Sequence, residues 1–121
     1  MNTPRRACLF VCRHSAWTSE AAACVETLLT AGVFEQQPVL VLMDAAVTLL
    51  LPDQNGAPIH AKTLARQLPA LELYGIDTVY ADAAALTAYG VNTEQLPLPV
   101  QTLQSGQLAT LVASAAITLV F

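Results

Sequence analysis

The chain has 121 residues, the size of one compact domain with room for a core, so a single domain over residues 1–121 is expected. Hydrophobic residues make up 55% and charged residues 12%, which excludes disorder and leaves too little polar side chain to coat a free monomer, so apolar surface is expected to meet a partner or, in the isolated chain, another copy. The net charge is −4 and no base follows Arg66, while the second half carries Glu72, Asp77, Asp82 and Glu94; direct binding to nucleic acid or to an anionic membrane is therefore not expected.

The first element is an apolar run, Arg6 to Cys12 (RACLFVC), which reads as a strand buried on both faces. It follows Arg5 and Arg6, but it is too short for a signal peptide and lacks a small-residue cleavage site. A polar loop from Arg13 to Trp17 leads to Thr18 or Ser19 as the cap of a helix, with Glu20 in its first turn and Gly32 as its C-cap. Ala21, Val25, Leu28 and Leu29 recur at helical spacing and form the face turned to the sheet.

Pro38 opens a second buried strand, VLVLM, which breaks at Asp44; a short helix through AAVTLLL follows and ends at Pro52. The apolar stretch Val39 to Leu51 falls short of a membrane span, and the protein reads as soluble and cytoplasmic. DQNGAP is a surface loop, and Lys62 to Tyr74 is a helix that Pro69 should kink or split. After Gly75, Ile76 to Tyr80 makes a third strand, and Asp82 to Tyr89 an alanine-rich helix closed by Gly90. VNTEQLPLP is a loop, Val100 to Leu103 a fourth strand, Ser105 the cap of a helix through QLATLVASA, and AITLVF a last strand. Strands alternating with helices imply an α/β fold: one open, mostly parallel sheet with helices on both faces.

In such sheets, sites form at the carboxyl ends of strands. Three ends can be read: Cys12 to Trp17, Asp44, and Ala81 to Asp82. Cys12 precedes a helix N-terminus and neighbours Arg13, the setting of a reactive thiol; the alternative is a buried strand cysteine. The segment LFVCRHSAWTSEA is similar to the start of low-molecular-weight phosphatases, but Thr18 stands where their phosphate-gripping arginine belongs, and no glycine lies between Arg13 and Glu20. His14 and Ser15 are adjacent, the wrong arrangement for a base and a nucleophile, and His60 falls in the surface loop. Trp17 is either a partner anchor or a cover for the helix start.

Cys8, Cys12 and Cys24 are the three cysteines. On one strand, Cys8 and Cys12 lie about 13 Å apart, beyond the reach of a disulfide. No metal-ligand spacing, Walker loop, GxGxxG, HExxH or CxxC occurs, so no cofactor or metal is expected, and the odd count fits a reducing compartment.

The order and spacing of features over nearly the whole chain resemble the TusC/DsrF-type proteins of the DsrE-like sulfur-relay family. The residues that carry the likeness are the first strand and its helix AACVETLLTAGVFEQQ, then MDAAVTLLLPDQ, LELYGIDTVYADAAALTAYGV, and the final ITLVF. The resemblance implies a flavodoxin-like fold and a heterohexamer of related subunits. It also implies a relay that passes sulfur as a cysteine persulfide toward the wobble uridine of tRNA, or that serves sulfur oxidation. The persulfide cysteine of the TusD/DsrE subunit lies just before the small-residue helix, where this sequence has Ala81 and Asp82. A non-catalytic structural subunit is therefore expected, the alternative being a small sulfur carrier or thiol enzyme that uses Cys12.

Overall fold

The apolar runs become the strands of one sheet. In the computed structural model, which describes residues 8–34, 38–51, 64–76, 78–94, 96 and 98–121, the strands are β1 (Cys8–Cys12), β2 (Pro38–Leu42), β3 (Val79–Asp82), β4 (Gln101–Leu103) and β5 (Ile117–Val120). They pair in parallel throughout, in the order β4-β3-β2-β1-β5. The steps from β1 to β4 all move one way across the sheet, and right-handed crossovers then put their helices on a single face. These are α1 (Ser19–Val33), the 3-10 segments Asp44–Leu50 and Leu64–Tyr74, and α2 (Ala83–Ala88). The last step returns past β1, which puts α3 (Gln107–Ser114) on the opposite face.

Side-chain alternation follows that division. Phe10, Cys12, Leu40, Leu42 and Ala81 point into the first layer, with Ala21, Cys24 and Leu28 of α1. Leu9, Val11 and Val41 point into the second, which α3 covers with the half-buried Leu108 and Leu111. Each fully buried leucine contributes about 1.5–3 kcal/mol, so the first layer carries most of the stability. The second is thin: no residue of α3 is buried, and on β5 Val120, which shares the face of Val11, is 62% exposed. The expected open parallel sheet with helices on both faces, flavodoxin-like, is what the chain forms, with every described strand parallel. Among the described residues no helix is long and apolar enough to cross a membrane.

Several local expectations shift. Gly32 lies inside α1, which continues to Val33 with Phe34 as its cap. A Cβ at Gly32 would stand 2.6 Å from the Tyr74 carbonyl oxygen, so glycine serves close helix packing there. Thr18 is the N-cap, its Oγ1 accepting from the Ala21 N–H. The short helix after β2 and the segment holding Pro69 are both wound as 3-10 turns. The third strand spans Val79–Asp82 rather than Ile76 to Tyr80, because the Ile76 N–H turns back to the Leu71 carbonyl. Gly106, at φ 87°, is the N-cap of α3 in place of Ser105, and it adopts a left-handed conformation that a serine would enter at a cost. Arg6, DQNGAP, His60 and Lys62 lie outside the described residues.

Candidate functional site

The carboxyl end of β1 is the most chemically loaded place among the described residues. The Cys12 carbonyl accepts from the Met43 N–H at 2.9 Å, and the Arg13 N–H donates to the Phe121 carbonyl at 2.9 Å, so the strand end is fixed from both sides. The following loop is tied down by Thr48, whose Oγ1 accepts from the Ala16 N–H at 3.2 Å and donates to the Ala45 carbonyl at 2.7 Å. Cys12 itself is 0% exposed, as the buried-cysteine alternative has it, and its thiol donates to the His14 carbonyl at 3.7 Å.

Burial does not make this thiol inert. Its pKa is lowered to about 7, chiefly because the Cys24 thiol donates to its sulfur; burial opposes that, and the His14 main chain and imidazole charge lower it further. Cys24 is pushed the other way, by the hydrogen bond it gives to Cys12, by burial and by the negative charge beside it. The side chain expected to activate Cys12, that of Arg13, turns away: its Nε donates to Asp44 Oδ2 at 2.8 Å, an exposed ion pair.

Sequence reasoning placed Cys24 near apolar neighbours and did not join it to Cys12. The signal was present in the helical spacing. Cys24 is three residues after Ala21 and four before Leu28, on the stripe that packs against the sheet. Side chains on a helix lean toward its N-terminus, which here is the β1 end, so Cys24 reaches back toward Cys12.

Asp44 marks the end of β2. It is the described non-glycine residue with positive φ, 50°, and it opens the Asp44–Leu50 turn while pairing with Arg13. Trp17 is 43% exposed on the same rim, with His14 and Arg13 also exposed.

The carboxyl end of β3 is different in kind. Ala81 is 0% exposed, and Asp82 is half-buried with its Oδ2 accepting from the Ala85 N–H at 3.0 Å. That carboxylate is the N-cap of α2 and satisfies one of the amides left unpaired at a helix start. Beside it lies an open cleft of about 440 Å³, lined by Asp82, Ala83, Thr87, Gln104 and Ser105, with no sulfur or basic group on its walls. Cys8 lies at the opposite end of β1, half-buried against the first layer. Among the described residues no three His, Cys, Asp or Glu side chains gather where a metal could be held.

Comparison with known proteins agrees with this frame. Residues 6–121 match the profile of the DsrE/DsrF-like family. The chain is similar to the protein named TusC homolog of Pseudomonas aeruginosa, with 30% identity over 105 residues, covering 86% of this chain and 88% of that protein. Its backbone is similar to the crystal structure of the YchN protein from E. coli, with a TM-score of 0.82 and 20% identity, covering 98% of this chain and 100% of that one. At that identity the likeness concerns the fold. The profile match over nearly the whole length, together with this relative, shows that the chain belongs to the DsrE/DsrF-like family, as a subunit of the TusC/DsrF type.

Proposed function

We propose that this sulfur-relay subunit is a non-catalytic, structural member of a cytoplasmic hetero-oligomer, which supports 2-thiolation of the wobble uridine in tRNA or, in the alternative pathway, sulfur oxidation. The observation that carries the reading is the end of β3. Where the resemblance puts a persulfide cysteine in the related subunit, this chain has buried Ala81 and an Asp82 carboxylate engaged as a helix cap. A carboxylate there repels an anionic persulfide, and no thiol stands in the adjoining cleft.

The partner role draws support from the sheet edge at β5. Ile117 and Leu119 on the first-layer face of β5 and Val120 on the second lie exposed, and among the described residues no strand pairs with the outer edge of β5. Val33, Phe34, Leu73 and Tyr74 form a second exposed apolar group. Contact with tRNA would fall to the partner subunits, since the cations needed to meet phosphates are few here.

The test is single-turnover transfer of labelled sulfur by the reconstituted complex, with Cys8, Cys12 and Cys24 all replaced in this chain. Transfer near the wild-type level with assembly intact is expected. A second reading, that Cys12 carries sulfur, is favoured by its acidified thiol and opposed by its complete burial. Loss of transfer on Cys12→Ser alone, with the complex still assembled, would establish that second reading.

A further inference from the structure

We propose that β5 is a self-complementary edge at which two copies of this chain join, antiparallel about a twofold axis, so that their sheets become one. The proposal rests on the reading of β5 as a partner surface and names its occupant. β5 closes one end of the strand order, and among the described residues no strand pairs with its outer side. The pairing with β1 fixes which main-chain groups face out. The Phe121 N–H donates to the Val11 carbonyl and the Phe121 carbonyl accepts from the Arg13 N–H, so Phe121 turns both groups inward. Along a strand that direction alternates. Leu119 and Ile117 therefore also turn theirs to β1, while Thr118 and Val120 present theirs to the outside.

Those outward groups set the register. Two outward residues placed opposite each other in an antiparallel pair exchange both main-chain hydrogen bonds, and side chains directly opposite share a face. A twofold axis normal to the sheet keeps the first layers of both copies on one side. With that axis through Leu119, Thr118 of one copy and Val120 of the other exchange both bonds, and the symmetry repeats the exchange. All of these bonds fall within Ile117–Val120. The two Leu119 side chains meet on the first-layer face as a non-hydrogen-bonded pair, the more closely spaced kind. Exposed Leu119 and Val120 thereby gain neighbours across the join.

Charge and side-chain chemistry favour a second copy as the occupant. The chain carries a net charge of −4, so two copies repel over much of their surface. No Asp, Glu, Lys, Arg or His follows Glu94, so at β5 two copies meet without opposing charged side chains, and an acidic or basic partner finds no counter-charge there. Arg13, beside the end of β5, already directs its guanidinium at Asp44. Edges that must stay unpaired are blunted by lysine, proline or an inward charge, and ITLV has none of these. The opposite edge, β4, instead presents the exposed polar side chains of Gln101 and Thr102. Closed association of identical copies is most often twofold, as this geometry requires.

The experiment measures the mass of the full chain alone by sedimentation equilibrium over a range of concentrations, with circular dichroism to confirm that each variant folds. Wild type is expected to pass from monomer to dimer as concentration rises. Val120→Pro deletes an outward N–H, keeps the bonds to β1 and is expected to lose the dimer. Gln101→Lys, on the other edge, is expected to keep it. Leu119→Cys reads the register: under mild oxidation, peptide mass spectrometry is expected to find the two introduced thiols joined. Ile117→Cys is expected to give no such crosslink, since the two copies of that position stand about 13 Å apart along the strands. A wild-type chain that stays monomeric throughout, or that pairs only once a related relay subunit is added, overturns the proposal; the structural role in the relay is judged separately, by sulfur transfer. A dimer that survives Val120→Pro, or a crosslink at Ile117→Cys in place of Leu119→Cys, overturns it as well. The crosslinks decide the matter even should Val120→Pro fold poorly.

Discussion

The carboxyl ends of β1 and β3 lie in the same parallel sheet, one strand apart, and they have taken opposite chemical characters. At β1 the last residue is a buried thiol held partly ionised by a second thiol behind it. At β3 the last residue is a carboxylate whose oxygen is engaged by the first turn of the next helix. Under the proposed structural role, the contrast separates having a thiol from having a sulfur-transfer site. A carrier sulfur must be reached by donor and acceptor, and the open cleft is at β3, where there is no sulfur. The sulfur is at β1, where the layer beneath α1 closes over it.

The sharpest way to break this comparison is to remove the thiol behind Cys12. Cys24→Ala deletes the main cause of its acidity, so the Cys12 pKa should climb from about 7 toward the ordinary thiol value near 8.5. The direction is upward because a donor to the thiolate is lost, while the burial that opposes ionisation stays. At pH 7 the thiolate fraction of Cys12 should fall by roughly tenfold. Ultraviolet thiolate absorbance against pH, measured in a Cys8→Ser background, reads this directly. An unmoved midpoint would show that Cys24 is a packing residue alone.

Next in size is Gly32→Ala, which tests how α1 brings Cys24 to the β1 end. The added methyl meets a backbone carbonyl oxygen at 2.6 Å and cannot be accommodated by rotating a side chain. Overpacking of this kind costs about 1–3 kcal/mol, against a helix-propensity gain of up to about 1 kcal/mol. A net loss of stability is expected in urea denaturation, together with faster alkylation of Cys12 as α1 lifts. A variant as stable as wild type would show that the Tyr74 loop yields.

How far the two ends were legible in the sequence differs for physical reasons. The strands and main helices could be read because Leu9 to Cys12, Val39 to Leu42 and the Ala21–Val25–Leu28 stripe carry unambiguous periodicities. The absence of a thiol at Ala81 and Asp82 could also be read, since it is a matter of residue identity. Two kinds of feature could not. One depends on a neighbour distant in sequence: Gly32 looked like a helix terminator, and only the approach of Tyr74 reveals its packing role. The other is side-chain direction. Arg13 adjoins Cys12 in sequence, yet successive residues leave a strand on opposite sides, and its guanidinium goes to Asp44. Cys24, remote in sequence, is the residue that sets the Cys12 charge.

A smaller effect is expected at the β3 end. Asp82→Ala removes the cap of α2 and should lower stability by about 1 kcal/mol, with no change in sulfur transfer by the assembled complex. Asp82→Asn keeps the capping oxygen without the charge and should recover most of the loss. Chemical denaturation of both variants, alongside the transfer assay, separates the cap from chemistry. A large fall in transfer by Asp82→Asn, with stability preserved, would make the carboxylate a working group and overturn its assignment as a cap.

The smallest effect is expected from Arg13→Ala, which distinguishes the rim of the β1 end from its interior. The Arg13–Asp44 pair joins side chains that are 60% and 53% exposed, where solvent and salt screen the attraction. Exposed pairs of this kind contribute about 0–1 kcal/mol, and a change within roughly 0.5 kcal/mol is expected. Asp44 adds a backbone contribution that the arginine does not share. At φ 50° it holds a left-handed conformation that costs a non-glycine residue about 1–2 kcal/mol. Asp44→Gly therefore loses the pair but relieves the strain and should be close to neutral or slightly stabilising. Asp44→Ala loses the pair, keeps the strain and should be the least stable of the three. The Cys12 thiolate midpoint should stay near its wild-type position in all of them, because the guanidinium is directed at Asp44 and contributes nothing to lowering that pKa. An upward move of that midpoint in Arg13→Ala, with stability unchanged, would show the arginine reaching the thiol and would return Cys12 to the setting of an arginine-activated nucleophile.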